Sequence, residues 1–254
     1  MKIALIGNGA MGRLVAEEAK AAGDSVGAVV TSLERDLNPN ELKDKCFGDG
    51  SDIDVAIDFS VGEAVLRNIE ACALAGVPLV EGTTGWKAHE ETARQIVTEH
   101  EAALVYGANF SIGVNLFYRI VDRAAALFAA VDGYAPFIEE AHHMRKRDAP
   151  SGTALQLREL MAKHLGPEIP TASTRAGYIP GTHRVGFDSD ADQVLLVHTA
   201  RSRKGFASGA LLAAHWVIGK TGVFQFSDVI EDIVDCRKSK IENFSPWRHH
   251  DTTS

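Results

Sequence analysis

The chain has 254 residues and carries 34 acidic against 26 basic side chains, a net charge of -8 that repels a polyanionic partner such as nucleic acid. Cys46, Cys72 and Cys236 are too few and too scattered for a disulfide framework or a zinc site. No apolar run reaches bilayer-spanning length and the opening one is too short for a signal peptide, so the expectation is a cytoplasmic protein of two domains without a membrane partner.

From the N-terminus, short apolar runs alternate with longer stretches of helical period. Residues 2–6, 25–30, 53–58, 77–80 and 103–106 read as strands, and 10–22, 61–75 and 86–99 as helices, with Gly23 and Gly76 placed as C-terminal caps. This alternation is the pattern of a parallel sheet closed by crossover helices. Small or polar residues follow each strand, on the edge where doubly wound sheets bind ligands.

After Phe110 the rhythm changes. Residues 112–130 read as a helix, 134–142 as a strand, and a further helix opens near Ser151. The runs 182–187 and 193–200 read as strands whose connections lack the helices that parallel pairing requires. The fold class expected is α/β: a Rossmann-like parallel-sheet domain plus a second α+β domain with a mixed or antiparallel sheet. Helices at 211–218 and 227–234, the second opening on a Ser227-Asp228 cap, are placed to return to the first domain. Residues 244–254 have no periodic pattern and read as a loosely held tail.

Gly7-Asn8-Gly9-Ala10-Met11-Gly12 follows a strand directly and opens a helix, the context in which G-x-G-x-x-G is informative. Glycines there let a pyrophosphate approach backbone N–H groups at the positive end of the helix, which points to NADPH or NADH. The acid that commonly ends the second strand and bonds the ribose of NADH is missing. Thr31 and Ser32 stand in its place, with Glu34 and Arg35 beyond. Hydroxyls and a guanidinium suit a 2′-phosphate, which tilts the balance to NADPH with NADH left open. Gly82-Thr83-Thr84-Gly85 and Gly107-Ala108-Asn109-Phe110, after the fourth and fifth strands, lie on the same edge and admit a nicotinamide ribose.

The densest chemistry is Glu139-Glu140-Ala141-His142-His143-Met144-Arg145-Lys146-Arg147-Asp148-Ala149-Pro150-Ser151-Gly152-Thr153-Ala154. A basic run is ordinarily a solvated face. Here a His pair ends an apolar strand, and the run enters Pro150-Ser151-Gly152-Thr153, a helix start whose free N–H groups bind anions. Cations beside a helix N-terminus suit a small dianion. Adjacent residues on a strand point to opposite faces, so His142 and His143 are not expected to share a metal ion.

Together the two motifs resemble those of the dihydrodipicolinate reductase (4-hydroxy-tetrahydrodipicolinate reductase) family of bacterial lysine and diaminopimelate biosynthesis. The stretch from Glu140 to Ala154 is close to that family's signature. Asp58-Phe59-Ser60, Gly82-Thr83-Thr84-Gly85, Ala108 to Asn115, Arg175-Ala176-Gly177, Gly181-Thr182-His183 and Arg203 to Ala210 extend the resemblance over most of the chain.

The resemblance implies a dinucleotide-binding domain from residues 1–110 and 217–254, a substrate and oligomerisation domain from 111–216, and a homotetramer. It implies reduction of a cyclic unsaturated dicarboxylate by NADPH or NADH. His142 would then give or take a proton, Lys146 would donate one, and His143, Gly152 and Thr153 would hold substrate. Gly7, Asn8, Gly9, Ala10, Met11, Gly12, Ser32, Gly82, Thr83, Thr84, Gly107, Ala108, Asn109 and Phe110 would contact the cofactor. The chain departs from the family pattern at Ala10, where an Arg is common, and at Thr31 and Ser32; both bear on cofactor preference. Residues 109–111 would serve as the hinge. Another Rossmann reductase, acting on an amino acid or a sugar, and a non-catalytic NAD(H) sensor are the remaining readings.

Overall fold

A computed structural model describes residues 1–48 and 52–242. The expected tail at 244–254 lies outside the described residues. Strands β1 (Lys2–Ile6), β2 (Ser25–Val30), β3 (Val55–Asp58), β4 (Leu79–Glu81) and β5 (Ala103–Tyr106) join a sixth, β10 (Gly222–Gln225), in one parallel sheet. Its order is β10-β5-β4-β3-β1-β2. The chain reverses direction of winding at β1, which has β2 on one side and β3 on the other, so a crevice opens at the end of β1.

The sheet is apolar on both faces because helices cover both. Ile3 and Leu5 point into one core and Ala4 and Ile6 into the other, and β5 divides Ala103 and Val105 from Leu104 in the same way. Helices α2 (Pro39–Phe47), α3 (Val65–Leu74) and α4 (Glu90–Glu99) close the second of these faces. The first is closed by α1 (Ala10–Ala21), α7 (Lys204–Val217) and α8 (Phe226–Glu242). Ala207, Ala210, Ala213 and Ala214 of α7 are buried in this core, their small side chains letting the helix lie close to the sheet.

The second sheet is β7 (Thr171–Arg175), β6 (Ala135–His142), β8 (Thr182–Asp188) and β9 (Gln193–Thr199), in that order. It is mixed: β6 pairs parallel with β7 and antiparallel with β8. The parallel pair is possible because α6 (Gly152–Leu165) supplies the crossover. Helices α5 (Ile112–Phe128) and α6 cover one face through Phe117, Val121, Leu157 and Met161 against Ile138, Val185 and Phe187. Phe128 stacks on Phe187 with ring centroids 4.1 Å apart. No helix among the described residues is long and apolar enough to cross a membrane.

Candidate active site

The nucleotide loop divides its glycines between two tasks. At Gly7, φ is +96°, and a Cβ would stand 2.6 Å from the Phe59 carbonyl oxygen; a Cβ on Gly12 would stand 2.0 Å from the Gly7 carbonyl oxygen. Those two serve close packing of strand, turn and helix. Gly9 has nothing within 4 Å of its Cβ position and is the N-cap of α1 without any side-chain cap. Asn8 and Ala10 are exposed, and Met11 packs partly against the core. An uncapped helix start beside open space fits the pyrophosphate of a dinucleotide.

Beyond β2 the structure corrects the reading of the polar loop. The Thr31 hydroxyl accepts from Leu33 N–H at 3.2 Å and donates to Glu34 at 2.9 Å, so it is committed to capping a short helical turn. Glu34 turns inward to Lys45 at 2.8 Å, and hydrogen bonds from Lys45 and Thr31 hold its carboxyl down at about 2. Ser32 and Arg35 remain exposed and open to a ligand.

Thr83, Thr84, Gly107, Ala108 and Asn109 border a cleft of about 1280 Å³, and so do His142, His143, Lys146, Gly152 and Thr153 from the second sheet's side. Gly7 to Gly12 and Ser32 lie further along the same sheet edge, outside the cleft wall. A Cβ on Gly82 would enter the Phe59 ring, and Phe110 is 2% exposed, with rings of Phe59 and Phe226 centred 6.3 and 4.7 Å from its own. The expected hinge is pinned by hydrogen bonds. Asn109 accepts from Ser111 N–H at 2.9 Å, and Asn115 Nδ2 donates to the Asn109 carbonyl at 2.9 Å.

Glu140 is the hub of the opposite wall. Its side chain is fully buried, and its Oε1 accepts from Ser151 N–H at 3.1 Å, Ser173 Oγ at 2.7 Å and Arg175 at 2.7 Å. Burial pushes this carboxyl up, but Ser151, Ser173 and Arg175 outweigh it and hold the group at about 2. Its Oε2 lies 2.9 Å from His142 Nδ1, in an approach too bent for a hydrogen bond, and 3.8 Å from His183. Burial lowers His142 against the opposing pull of Glu140, and lowers His183 to about 4, so both rings are neutral at neutral pH. Ligand atoms of Glu140, His142 and His183 lie within 4.8 Å of one another, a spacing a divalent ion could bridge, but Arg175 already supplies a cation to Glu140.

His143 lies just past the strand, and both histidines border the cleft, so the opposite-face argument does not extend to that pair. Lys146 stands 2.9 Å from Asp148, whose carboxyl this contact lowers. Arg175 also bonds the Asp148 carbonyl, which ties the lysine's loop to β7. Ser151 caps α6 by accepting from Ala154 N–H at 3.3 Å, and its hydroxyl meets His183 Nε2 at 3.1 Å. Gly152, first residue of α6, has nothing within 4 Å of its Cβ position.

The sequence reading missed Tyr118, Arg119, Asp122 and His198 on this cleft. A signal was available for three of them. Asn115, Tyr118, Arg119 and Asp122 recur three and four residues apart, a polar stripe on the cleft face of α5.

A two-sheet chain with an uncapped glycine turn on one sheet edge, and a His-Lys cluster facing Thr83, Thr84 and Gly107 to Asn109 of that edge across a cleft, has the layout of a nicotinamide-dependent oxidoreductase. Residues 1–110 match the family model "Dihydrodipicolinate reductase, N-terminus" and residues 113–230 the model "Dihydrodipicolinate reductase, C-terminus". The chain belongs to the dihydrodipicolinate reductase family. It is 39% identical to a 4-hydroxy-tetrahydrodipicolinate reductase of Christiangramia forsetii, over 92% of this chain and 99% of that one. It is 35% identical to the enzyme of the same name from Neisseria meningitidis serogroup A, over 91% and 97%. In fold it is similar to a dipicolinate-bound dihydrodipicolinate reductase from Paenisporosarcina sp. TG-14, with TM-score 0.71 at 20% identity over 89% of this chain and 97% of that one.

Proposed function

We propose that this protein reduces the 4-hydroxy-tetrahydrodipicolinate ring to tetrahydrodipicolinate in lysine and diaminopimelate biosynthesis, with His142 and Lys146 moving the protons. The observation that carries the roles is the cleft itself. Two clusters far apart in sequence, Thr83 to Asn109 and His142 to Thr153, face one another there.

Gly9 and the start of α1 hold the cofactor's pyrophosphate, with Gly7 and Gly12 letting the turn pack closely and Asn8, Ala10 and Met11 completing it. From β2 to β5 is four strand spacings, about 19 Å, and an extended dinucleotide follows that edge from Ser32 and Arg35 to Thr83, Thr84 and Gly107 to Asn109. When bound, the nicotinamide of NADPH or NADH supplies the hydride. Departure of the 4-hydroxyl with a hydrogen of the adjacent ring carbon, as water, leaves the ring carbon conjugated to C=N; that carbon accepts the hydride, and negative charge develops on nitrogen.

Lys146 stabilises that charge and donates the proton that quenches it, while His142, neutral and beside Glu140, gives or takes the second proton. His143 contacts the substrate. The Gly152 N–H and the Thr153 hydroxyl bind one carboxylate at the α6 N-terminus. Residues 1–110 and the chain from about 204 onward form the cofactor domain, and 111–203 form the substrate domain. The enzyme works in the cytoplasm as a homotetramer. Leu195 and Val197, exposed on the β9 face opposite Leu196, give a second copy an apolar surface to cover.

The test couples the preceding aldol-type synthase to this protein and follows NADPH and NADH absorbance in parallel. Oxidation that depends on the synthase product is expected. No oxidation of either cofactor would overturn the assignment.

A further inference from the structure

Beneath the loops that follow β2, β3 and β4 runs a line of polar side chains that the chemistry above does not use. Asp58 ends β3, Glu81 ends β4, and the two are register partners on adjacent strands. Both are fully buried. Asp58 accepts from the Ser60 N–H at 2.7 Å and from Asn68 Nδ2 at 2.7 Å, and the Thr83 hydroxyl lies 3.4 Å away. Glu81 Oε1 accepts from the Thr83 N–H at 2.7 Å. Its Oε2 is buried, and no N–H or O–H among the described residues bonds it.

Two adjacent carboxylates out of water cannot both stay charged without a cation between them. The cation in this network reaches them only at second hand. Arg67 bonds Asn68 Oδ1 at 2.8 Å through one terminal nitrogen and the Glu34 and Arg35 carbonyl oxygens at 2.9 and 2.6 Å through the other. Titratable neighbours of the pair include the buried Cys72 thiol of α3, which is neutral because burial and the two carboxyls push it well up, and Tyr106, the register partner of Glu81 on β5, whose hydroxyl is engaged by Glu90 and Arg94.

We propose that Glu81 carries a proton at neutral pH and donates it from Oε2 to Asp58, and that this shared proton, with Asn68 and Arg67, positions the loops after β2, β3 and β4 for the cofactor. Asp58 keeps the charge because it collects the donors; Glu81 keeps the proton because Oε2 has none. Burial pushes both groups up, and the neighbouring Asp58 raises Glu81 further. The network ends on Thr83, which borders the cleft, and on the backbone of residues 34–35 beside Ser32. None of Asp58, Arg67, Asn68 and Glu81 borders the cleft, so they are positioning residues. That the loops hold a cofactor rests on the function proposed above; the shared proton does not.

Two readouts test it on the full-length protein. The infrared stretch of a neutral carboxyl group is expected at neutral pH without cofactor and is expected to be lost in Glu81→Gln, whose amide still donates to Asp58 and accepts from Thr83. Cofactor KM in that variant stays within about twofold of wild type, whereas Glu81→Ala raises it about tenfold or more with kcat changed less than about threefold. Should the alanine variant not fold, Glu81→Met fills the space without a donor and is expected to behave as Glu81→Ala does. Absence of the band overturns the inference whatever the fate of the proposed function. So does a donor-free variant with unchanged cofactor KM.

Discussion

Nδ1 of His142 stands 2.9 Å from Oε2 of Glu140, and the same carboxylate is held at its other oxygen by Ser151, Ser173 and Arg175. One buried charge beside the His142 ring thus joins β6 to the cap of α6 and to two side chains of β7. Because its folded value is depressed to about 2 from an ordinary 4.5, Glu140 contributes stability that is fully present above 4.5 and is lost as pH falls toward 2. Urea unfolding from neutral to acid pH should show the wild type losing about 2 to 3 kcal/mol more than Glu140→Gln over that window. Equal losses would show that the carboxylate's charge is not what the three donors hold.

Gly152 and its neighbours allow folding to be separated from binding. With open space at its Cβ position, Gly152→Val should leave Tm within a few degrees while raising substrate KM about tenfold or more, because the added methyls occupy the carboxylate's approach to α6. Unchanged KM would move the carboxylate site elsewhere on the cleft.

The glycines of the first turn should behave oppositely to one another. Gly9→Ala, directed into open space, should weaken cofactor binding with little loss of stability. Gly12→Ala, directed 2.0 Å from the Gly7 carbonyl oxygen, should destabilise the fold by about 2 kcal/mol or more. Thermal denaturation and nucleotide titration of the two variants give both numbers.

Arg35 is exposed and its guanidinium lies 3.5 Å from Asp36, a surface pair of little weight. If a 2′-phosphate binds there, Arg35→Ala raises the KM for NADPH about tenfold and leaves that for NADH alone. A parallel change in both would remove Arg35 from cofactor choice.

What could be read from sequence follows from where the information sits. The strands of the first sheet were legible because helices cover both faces, so each strand is a plain apolar run such as Ala103–Tyr106. β7 was not, since Thr-Ala-Ser-Thr-Arg is an edge strand whose exposed middle leaves no alternation. β10, Gly-Val-Phe-Gln at the sheet edge, sets only two apolar residues between a glycine and an amide, too short an apolar run to read. Helix α2 carried a readable signal, Asn38 as cap with Pro39 behind it and Glu41 closing the capping box, but too few apolar residues to show a period. In the site, the His-His-Lys motif and the Gly152 helix start were local and legible. Glu140's hold on Ser151, Ser173 and Arg175 joins β6, α6 and β7, and no spacing along one segment announces it. Thr31 was misread because a hydroxyl facing a ligand and one capping a helical turn look the same in sequence.

The central claim is that Lys146 and His142 complete a hydride reduction in the cleft between the two sheets. The most direct measurement supplies NADPH deuterated at the transferring position and weighs the product ring by mass spectrometry, for wild type and Lys146→Ala. One added deuterium in the wild-type product, with turnover in the variant lowered roughly 100- to 10,000-fold, is the predicted result. A wild-type product without the added mass, or a variant that turns over as fast as wild type, would contradict it.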